Sequence, residues 1–567
     1  MSDNYLIDRF SRFKNGILNL LISDPFIIVQ MIIFLICTII IIIFCYYLLV
    51  KKKPVKFYKF ISEKDKKIIY ITLFLCFIVS FLWDLYFFAF TKDDAFITFR
   101  YSKNFVNGHG IVFNRKGDPV EGYSNFLWVL LSTIPIIFNL EIVLYTKIFS
   151  IVLSFFTIIV LYKFTALFYD EKLSLIAPTL YALYYPFHLW TVGCLETPLF
   201  VLLILCSYYF AYKEISKEKS IPTISVLFSS LLFLARPEGI IFVLGLEGSI
   251  LLYYLFFEKD LKIIKQRIFS ILLVSGGYCV YFVWRLSYYG YPFPNSYYLK
   301  RSIFISMGAI EYVLTFLVFT FPIIVFSIFG AYKMIKKEKN FKNFLFLIVP
   351  ILLNIALTLN LDAFNAAQGF RYLLPSMPFI IVFSVKYFKD FHLKNEGNYD
   401  WLTNPRKKIK SYLPFFFIFL LVLIPLSAPI VHKNVTFNDV NEKHYLLSQW
   451  FDEYVDDEET VAYIDMGIVP YYCDLDFIDM WGLMDEQIAH EGFSVDYILD
   501  QEPTFILFKV WGPDFSDDDE FEANYTLFFE IECEEINSYM ERITYDLSIY
   551  KINTYHISNS TLKDLFD

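Results

Sequence analysis

The chain has 567 residues, 57% hydrophobic and 20% aromatic, with a formal net charge of -9. Soluble domains run about 45–50% apolar, so this composition excludes an ordinary soluble enzyme. The negative balance is an average over unlike regions: the loops of the first three quarters are basic and the C-terminal tail is acidic.

From Pro25 to Val50 there is no charged residue. A run of 18 or more apolar residues is long enough to cross a bilayer as a helix, nearly the only way to satisfy the backbone there. This first run is too long for a signal peptide and lacks a small-residue cleavage pattern, so it reads as a retained helix. Candidate spans follow at 68–90, 143–166, 173–190, 195–213, 221–235, 238–257, 268–286, 312–334, 343–361, 371–389 and 411–430. With 25–50 they make roughly 11–12 transmembrane helices. The segments 51–67, 212–219, 258–267, 333–343 and 386–410 are rich in Lys and Arg, which places all five in the cytoplasm. Parity then puts the loop Thr91–Asn125 outside. It needs an odd number of crossings before 212–219, and 143–166, 173–190 and 195–213 supply them. The apolar piece 126–138 is left over, interrupted by Pro135, and reads as an interfacial or re-entrant helix on the outer face. The same bookkeeping puts Arg236–Gly239, 287–311, 361–371 and 431–567 outside. If 25–50 crosses fully, 1–24 is outside too, despite Arg9, Arg12 and Lys14; a hairpin or interfacial placement is the alternative.

The division expected is an N-terminal segment 1–67 with one extra membrane helix, a membrane domain 68–430 and an acidic soluble α/β domain 431–567. In that tail, Val461–Ile464, Phe477–Ile478, Thr504–Val510, Tyr525–Ile531 and Leu547–Ile552 resemble strands, and 441–455 and 482–499 look helical. Its length suffices for one domain with its own core. The eight cysteines show no metal-type spacing, and a Cys473–Cys533 disulfide is left open.

The most informative segment begins with adjacent carboxylates, Asp93 and Asp94, where a helix leaves the membrane. Two like charges at a bilayer boundary are costly unless they hold a cation or work as acid and base. The plain alternative is that the pair caps the next helix. Arg100, Tyr101, Lys103, His109 and Glu121 follow, with four glycines that allow tight folding; His109, in Gly-His-Gly, reads as a turn residue.

The run DDAFITFRYSKNFVNGHGIVFN, followed by PVEGYSNFLW, resembles the first periplasmic loop of a bacterial family of GT-C membrane glycosyltransferases, which includes the terminal β-arabinofuranosyltransferases. Weaker motifs keep the family's order: Cys194–Phe200, Ala235–Gly239, Tyr288–Asn295 with Tyr297–Lys300, Gly369–Pro375, and in the tail Asp465–Gly467 and Asp479–Asp485. The chain departs from the pattern at Tyr291, where the family often has an acidic residue, and before Arg371, where only Asp362 is near. The resemblance implies a GT-C fold, a polyprenyl-phosphate-sugar donor and an envelope glycan, lipid or protein acceptor, with no nucleic acid as partner. It also implies an extracytoplasmic site in the cell (inner) membrane, with Asp93 as base and Asp94 close behind. Arg236, Lys300 and Arg371 are candidates for the leaving phosphate, because Arg forks match phosphate oxygens. The alternatives are pairing of Arg236 with Glu238 or Glu196, and snorkelling of Lys300 and Arg371. Glu196 and Glu238 sit in apolar surroundings, which favours a functional or paired role. Glu121 lines a sugar pocket or staples the loop. Arg100, Tyr101, Asn295 and Asp362 complete the candidate set on that face. A divalent cation (Mg, Mn or Ca) held by Asp93 and Asp94 is the one cofactor considered. A transporter or flippase would predict internal repeats and mid-membrane charges, and neither is evident. A non-catalytic surface protein binding through the acidic tail would leave the Asp pair unexplained.

Overall fold

Long apolar runs become long helices. The computed structural model describes residues 61–216, 222–300, 306–336, 339–360, 368–395, 439–509, 512–513, 515, 518–536 and 542–566. Six helices among them are long and apolar enough to cross a membrane: Lys67–Tyr86, Ile142–Thr165, Thr197–Ser216, Gly239–Glu258, Leu261–Tyr289 and Phe341–Leu359. The expected spans 25–50 and 411–430 lie outside the described residues, as does the placement of 1–24.

Two expected spans are broken, both beside a proline. The stretch 173–190 is not one helix but two of 8 residues, Ile176–Leu183 and Tyr185–Val192, hinged at Tyr184 in an extended conformation. Pro186 lies in the first turn of the second, where its ring and missing N–H end whatever precedes it. Eight residues rise only about 12 Å, so neither piece crosses alone. The span 312–334 becomes Met307–Phe319 and Phe321–Lys336, bent by 85°, with Pro322 just past the break. The short helix Phe126–Ile137 forms where a non-crossing helix is expected.

Contacts sort the loops into two sets. Tyr212 bonds Asn343 (3.1 Å), Lys342 bonds Tyr254 (2.6 Å) and Arg267 lies 3.6 Å from Glu214, gathering the described parts of the basic segments, 212–216, 258–267 and 339–343, at one end. Glu196 and Glu214 bracket one helix, about 27 Å apart at 1.5 Å per residue, so the Asp93, Glu196, Arg236 and Arg371 segments collect at the other.

The tail is a five-stranded mixed sheet: β1 Thr460–Tyr463, β2 Asp476–Asp479, β3 Phe505–Phe508, β4 Tyr525–Ile536 and β5 Arg542–Ile552. The order is β2-β1-β3-β5-β4, with β1 parallel to β2 and β3 and the β3–β5–β4 pairings antiparallel. Helix Asp439–Tyr454 packs on it through Leu447, Trp450 and Phe451. Cys473 and Cys533 are both buried and no disulfide joins them.

The tail's core does not stop at the tail. Ile97, Tyr101, Ile111, Phe113 and Tyr123 from the first external segment, with Val129 of the helix after it, belong to the same apolar cluster. Tyr101 and Phe113 are fully buried there, and burying such a side chain stabilises by about 1.5–3 kcal/mol. Asn114 adds hydrogen bonds to both backbone groups of Phe477 (2.7 and 3.0 Å), covering the β2 edge.

Candidate active site

Asp93 stands where a helix cap would, just before helix Asp94–Val106, but makes no side-chain hydrogen bond to that helix. Its Oδ1 instead accepts the Ile468 N–H of the tail at 2.9 Å. Gly467 makes this approach feasible, because a Cβ there would overlap the Asp93 carboxylate. Asp93 is half-buried and Asp94 exposed. Burial, then the nearby Asp465, push the Asp93 carboxyl up to about 7; Asp94 adds to the rise, and the Ile468 N–H and Lys509 oppose it.

Behind Asp93 lies a buried polar network. Lys509 pairs with Asp465 Oδ2, which also accepts the Tyr463 hydroxyl at 3.3 Å. That hydroxyl lies 2.9 Å from His444 Nε2. Burial works against the Asp465 anion, but Lys509, His444 and Tyr463 hold its pKa below the usual carboxylate range. Burial, with Lys509 close by, pushes His444 down to about 3, so its ring is neutral at physiological pH.

A second group converges on Glu196, which is 1% exposed. Arg371 Nη2 donates to its Oε1 at 2.7 Å, Arg236 Nε lies 3.5 Å from the same oxygen, and Asn125 Nδ2 donates to Oε2 at 2.9 Å. Arg236 also forms a two-pronged pair with Glu238, at 2.9 and 3.2 Å, which realises the pairing expected as its alternative. Arg371 donates its Nε to Thr197 and keeps 16% of its side chain exposed; its Nη1 takes no hydrogen bond among the described residues. The Lys92 N–H donates to the Gly193 carbonyl at 3.4 Å. Three residues of chain from Gly193 to Glu196 span at most about 11 Å, so the two groups are neighbours on one rim.

Four other candidates act as staples. Arg100 is buried and gives its nitrogens to backbone carbonyls of Phe113 (2.7 Å), Pro470 and Leu475 (2.6 Å), with Asp476 4.0 Å away. Its donors face backbone carbonyls of the loop and of the tail. Tyr101 donates to the Val120 carbonyl at 2.7 Å and accepts the Gly122 N–H at 3.0 Å. Asn295 Nδ2 reaches the carbonyls of Gly482 and Leu483 (both 3.3 Å), and its N–H binds the Glu121 carbonyl (3.0 Å). Glu121 pairs with Arg285 at 3.1 Å; burial raises its carboxyl to about 8 against that pairing. Asn295 and Tyr101 clamp the Glu121–Asn125 segment onto the Asp479–Asp485 loop. Asp479 folds that loop by accepting the Trp481 and Met484 N–H groups, each at 2.9 Å. His109 is exposed, its N–H closing a turn onto Asn104. Asp362 and the Lys300 side chain lie outside the described residues.

The family described as a domain of unknown function (DUF8728) matches residues 434–550, within the tail. No curated protein matches the chain. Solved structures do. ArnT from Cupriavidus metallidurans, bound to undecaprenyl phosphate, is similar with a TM-score of 0.53 at 7% identity, over 85% of this chain and 97% of that one. The archaeal oligosaccharyltransferase AglB from Archaeoglobus fulgidus, in complex with an inhibitory peptide and a dolichol-phosphate, is similar with a TM-score of 0.52 at 11% identity, over 88% and 75%. The chain has the GT-C fold.

Within this GT-C frame, the carboxylates around Asp93 are engaged unequally. Asp93 already accepts a backbone N–H, Asp94 is exposed, and the next carboxylate, Asp465, carries Lys509. Among the described residues no group of three or more His, Cys, Asp and Glu could hold a metal ion by protein ligands alone, whereas Mg is held elsewhere by one or two carboxylates with waters and substrate phosphates. The network of Asp465, Lys509, His444 and Tyr463 was not among the sequence-derived candidates. A signal was present: Asp465 and Lys509 just follow β1 and β3, and the carboxyl ends of parallel strands are where open α/β sheets place ligands.

Proposed function

We propose that the chain is a membrane glycosyltransferase that moves a sugar from a polyprenyl-phosphate donor to an envelope glycan, lipid or protein acceptor on the extracytoplasmic face of the cell (inner) membrane. The carrying observation is Asp93: a half-buried carboxylate with a pKa of about 7, held by a tail N–H on the rim that bears Arg371. A base poised near the working pH is the efficient one. Asp93 takes the proton of the acceptor hydroxyl, whose oxygen bonds to the anomeric carbon. The carbon–oxygen bond to phosphate breaks with its electron pair going to the phosphate, through an oxocarbenium-like transition state. Arg371, through Nη1, meets the charge that develops on the phosphate, while Glu196 orients its guanidinium. Asp94, a neighbouring like charge, helps raise the Asp93 pKa towards the working pH. Arg100, Tyr101 and Asn295 hold the loop in place.

The donor class is supported by the lipid phosphates bound to ArnT and AglB, which share the fold. Membership of the arabinofuranosyltransferase-like family is supported by the first-loop motif; the reading extends to hexosyl and pentosyl donors alike. The outward orientation is supported by the loop charges and by the gathering of the three basic segments at the opposite end. The test is purified protein incubated with a panel of polyprenyl-phosphate sugars and acceptors, with mass detection of released lipid phosphate. Release by the wild type and not by Asp93→Asn supports the reading. Full product formation by Asp93→Asn sinks it.

A further inference from the structure

The seam between loop and tail encloses a second space, a cleft of about 490 Å³. That is the size of a small-molecule site, about 300–1,000 Å³. Its floor is apolar, made by Phe113, Val120 and Met484. One wall is the Lys116–Asp118 turn, and the other is the tail helix Glu486–Glu491 with Tyr497. At its mouth the Tyr291 ring stacks on His490, with centroids 4.3 Å apart and planes at 23°, and Tyr298 lies 4.3 Å from the same imidazole. Tyr291 keeps 37% of its surface exposed.

The charge of the lining decides what enters. Four carboxylates face the cleft, Asp118, Asp485, Glu486 and Glu491, against one cation, Lys116, which is itself paired to Glu458 at 2.5 Å. Asp485 is occupied, accepting the Tyr497 hydroxyl and the Ile488 N–H, both at 2.9 Å. An anionic ligand would meet like charges on both walls, so this is not where the donor phosphate sits. A purely apolar ligand would strand the carboxylates and the Gln487 amide without partners. What suits an aromatic shelf, an apolar floor and a rim of acceptors is a ligand with an apolar face and many hydroxyl or amine donors.

We propose that this cleft binds a saccharide unit carrying no negative charge, either neutral or amine-bearing. Its role as part of the acceptor rests on the glycosyltransferase reading. The cleft is lined by both the first external loop and the tail, and Met484 of its floor belongs to the loop that Asn295 fixes. Recognition and chemistry are thereby framed by the same seam.

The test uses the full chain in nanodiscs on an array of neutral hexose, glucosamine and uronic-acid oligosaccharides. Neutral or glucosamine oligomers bind and uronic-acid oligomers do not. Tyr291→Ala weakens binding at least tenfold, Tyr291→Phe keeps it, and Glu486→Gln weakens glucosamine oligomers more than neutral ones. Absence of binding on the whole array, preference for uronic acids, or no effect of Tyr291→Ala overturns the proposal. The two readings fail separately. If saccharides bind but no polyprenyl-phosphate sugar is ever consumed, the cleft stands and the enzyme reading falls. If Tyr291→Ala transfers to a saccharide acceptor with unchanged KM, the cleft falls and the enzyme reading stands.

Discussion

At one end of the bundle Arg267 sits between two carboxylates; at the other, Glu196 sits between two guanidiniums. The first cluster is closed. Arg267 has no exposed side-chain surface, and Glu214 and Glu247 each lie 3.6 Å from it at 3% exposure. Glu214 is further bound by the N–H groups of Thr223, Ile224 and Ser225, and Glu247 by Ser270. The second cluster is buried at its centre and open at its edge, where Arg371 remains 16% exposed. A buried ion group sealed on every side joins helices; one with an accessible donor can meet a ligand. Burial of charge alone does not separate structure from chemistry, but the exposure of the last member does.

Substitutions can break that contrast. The largest expected effect is at Asp93: Asp93→Asn should lower transfer by about 10²–10⁴-fold, the usual worth of a general base, with thermal stability unchanged; lipid-phosphate release and a melting curve read both. Next is the closed cluster. Arg267→Met leaves two buried carboxylates facing each other and should cost about 3–5 kcal/mol of stability, while activity per folded molecule stays at the wild-type level. Arg371→Ala should do the reverse, lowering kcat/KM by about 10–100-fold, as for a lost hydrogen bond to a charged group at about 1.5–3 kcal/mol, with a smaller melting shift than Arg267→Met. Equal melting losses in the two Arg variants would erase the distinction. The smallest effect is on pH. Asp93 must be ionised to accept a proton and titrates at about 7, so kcat/KM should rise with pH through that value and fall below it. Asp465→Asn removes a like charge and frees Lys509, and both changes lower the Asp93 pKa, so the inflection should move to lower pH. An upward move would refute the coupling.

Much of this was legible in the sequence because hydropathy and loop charge are strong signals. The spans 143–166 and 343–361 fall within two residues of the helices Ile142–Thr165 and Phe341–Leu359. All five tail strands formed near where apolar runs stood. The breaks at Tyr184 and Thr320 were missed because each sits inside an unbroken apolar run, and hydropathy does not see a proline's geometry. At the site, the contacts of Glu196 with Arg236 and Arg371 agree with the one-sided placement that parity gave. The part played by Arg100 was not legible: a conspicuous cation in a polar loop invites a ligand, and only the fold reveals four carbonyls waiting for it. The Asp465–Lys509 pair was missed for a related reason, since 44 positions separate its members and only sheet topology brings them together.

The Arg100 clamp also has a consequence for biogenesis. Its carbonyl partner at Pro470 is 370 positions downstream. At roughly 5–20 residues per second of synthesis, a nascent chain carries its carboxylate couplet for tens of seconds before the part that seats it emerges. The Ile468 N–H that binds Asp93 lies in the same late stretch, so the seam around the couplet is completed only after most of the chain has been made.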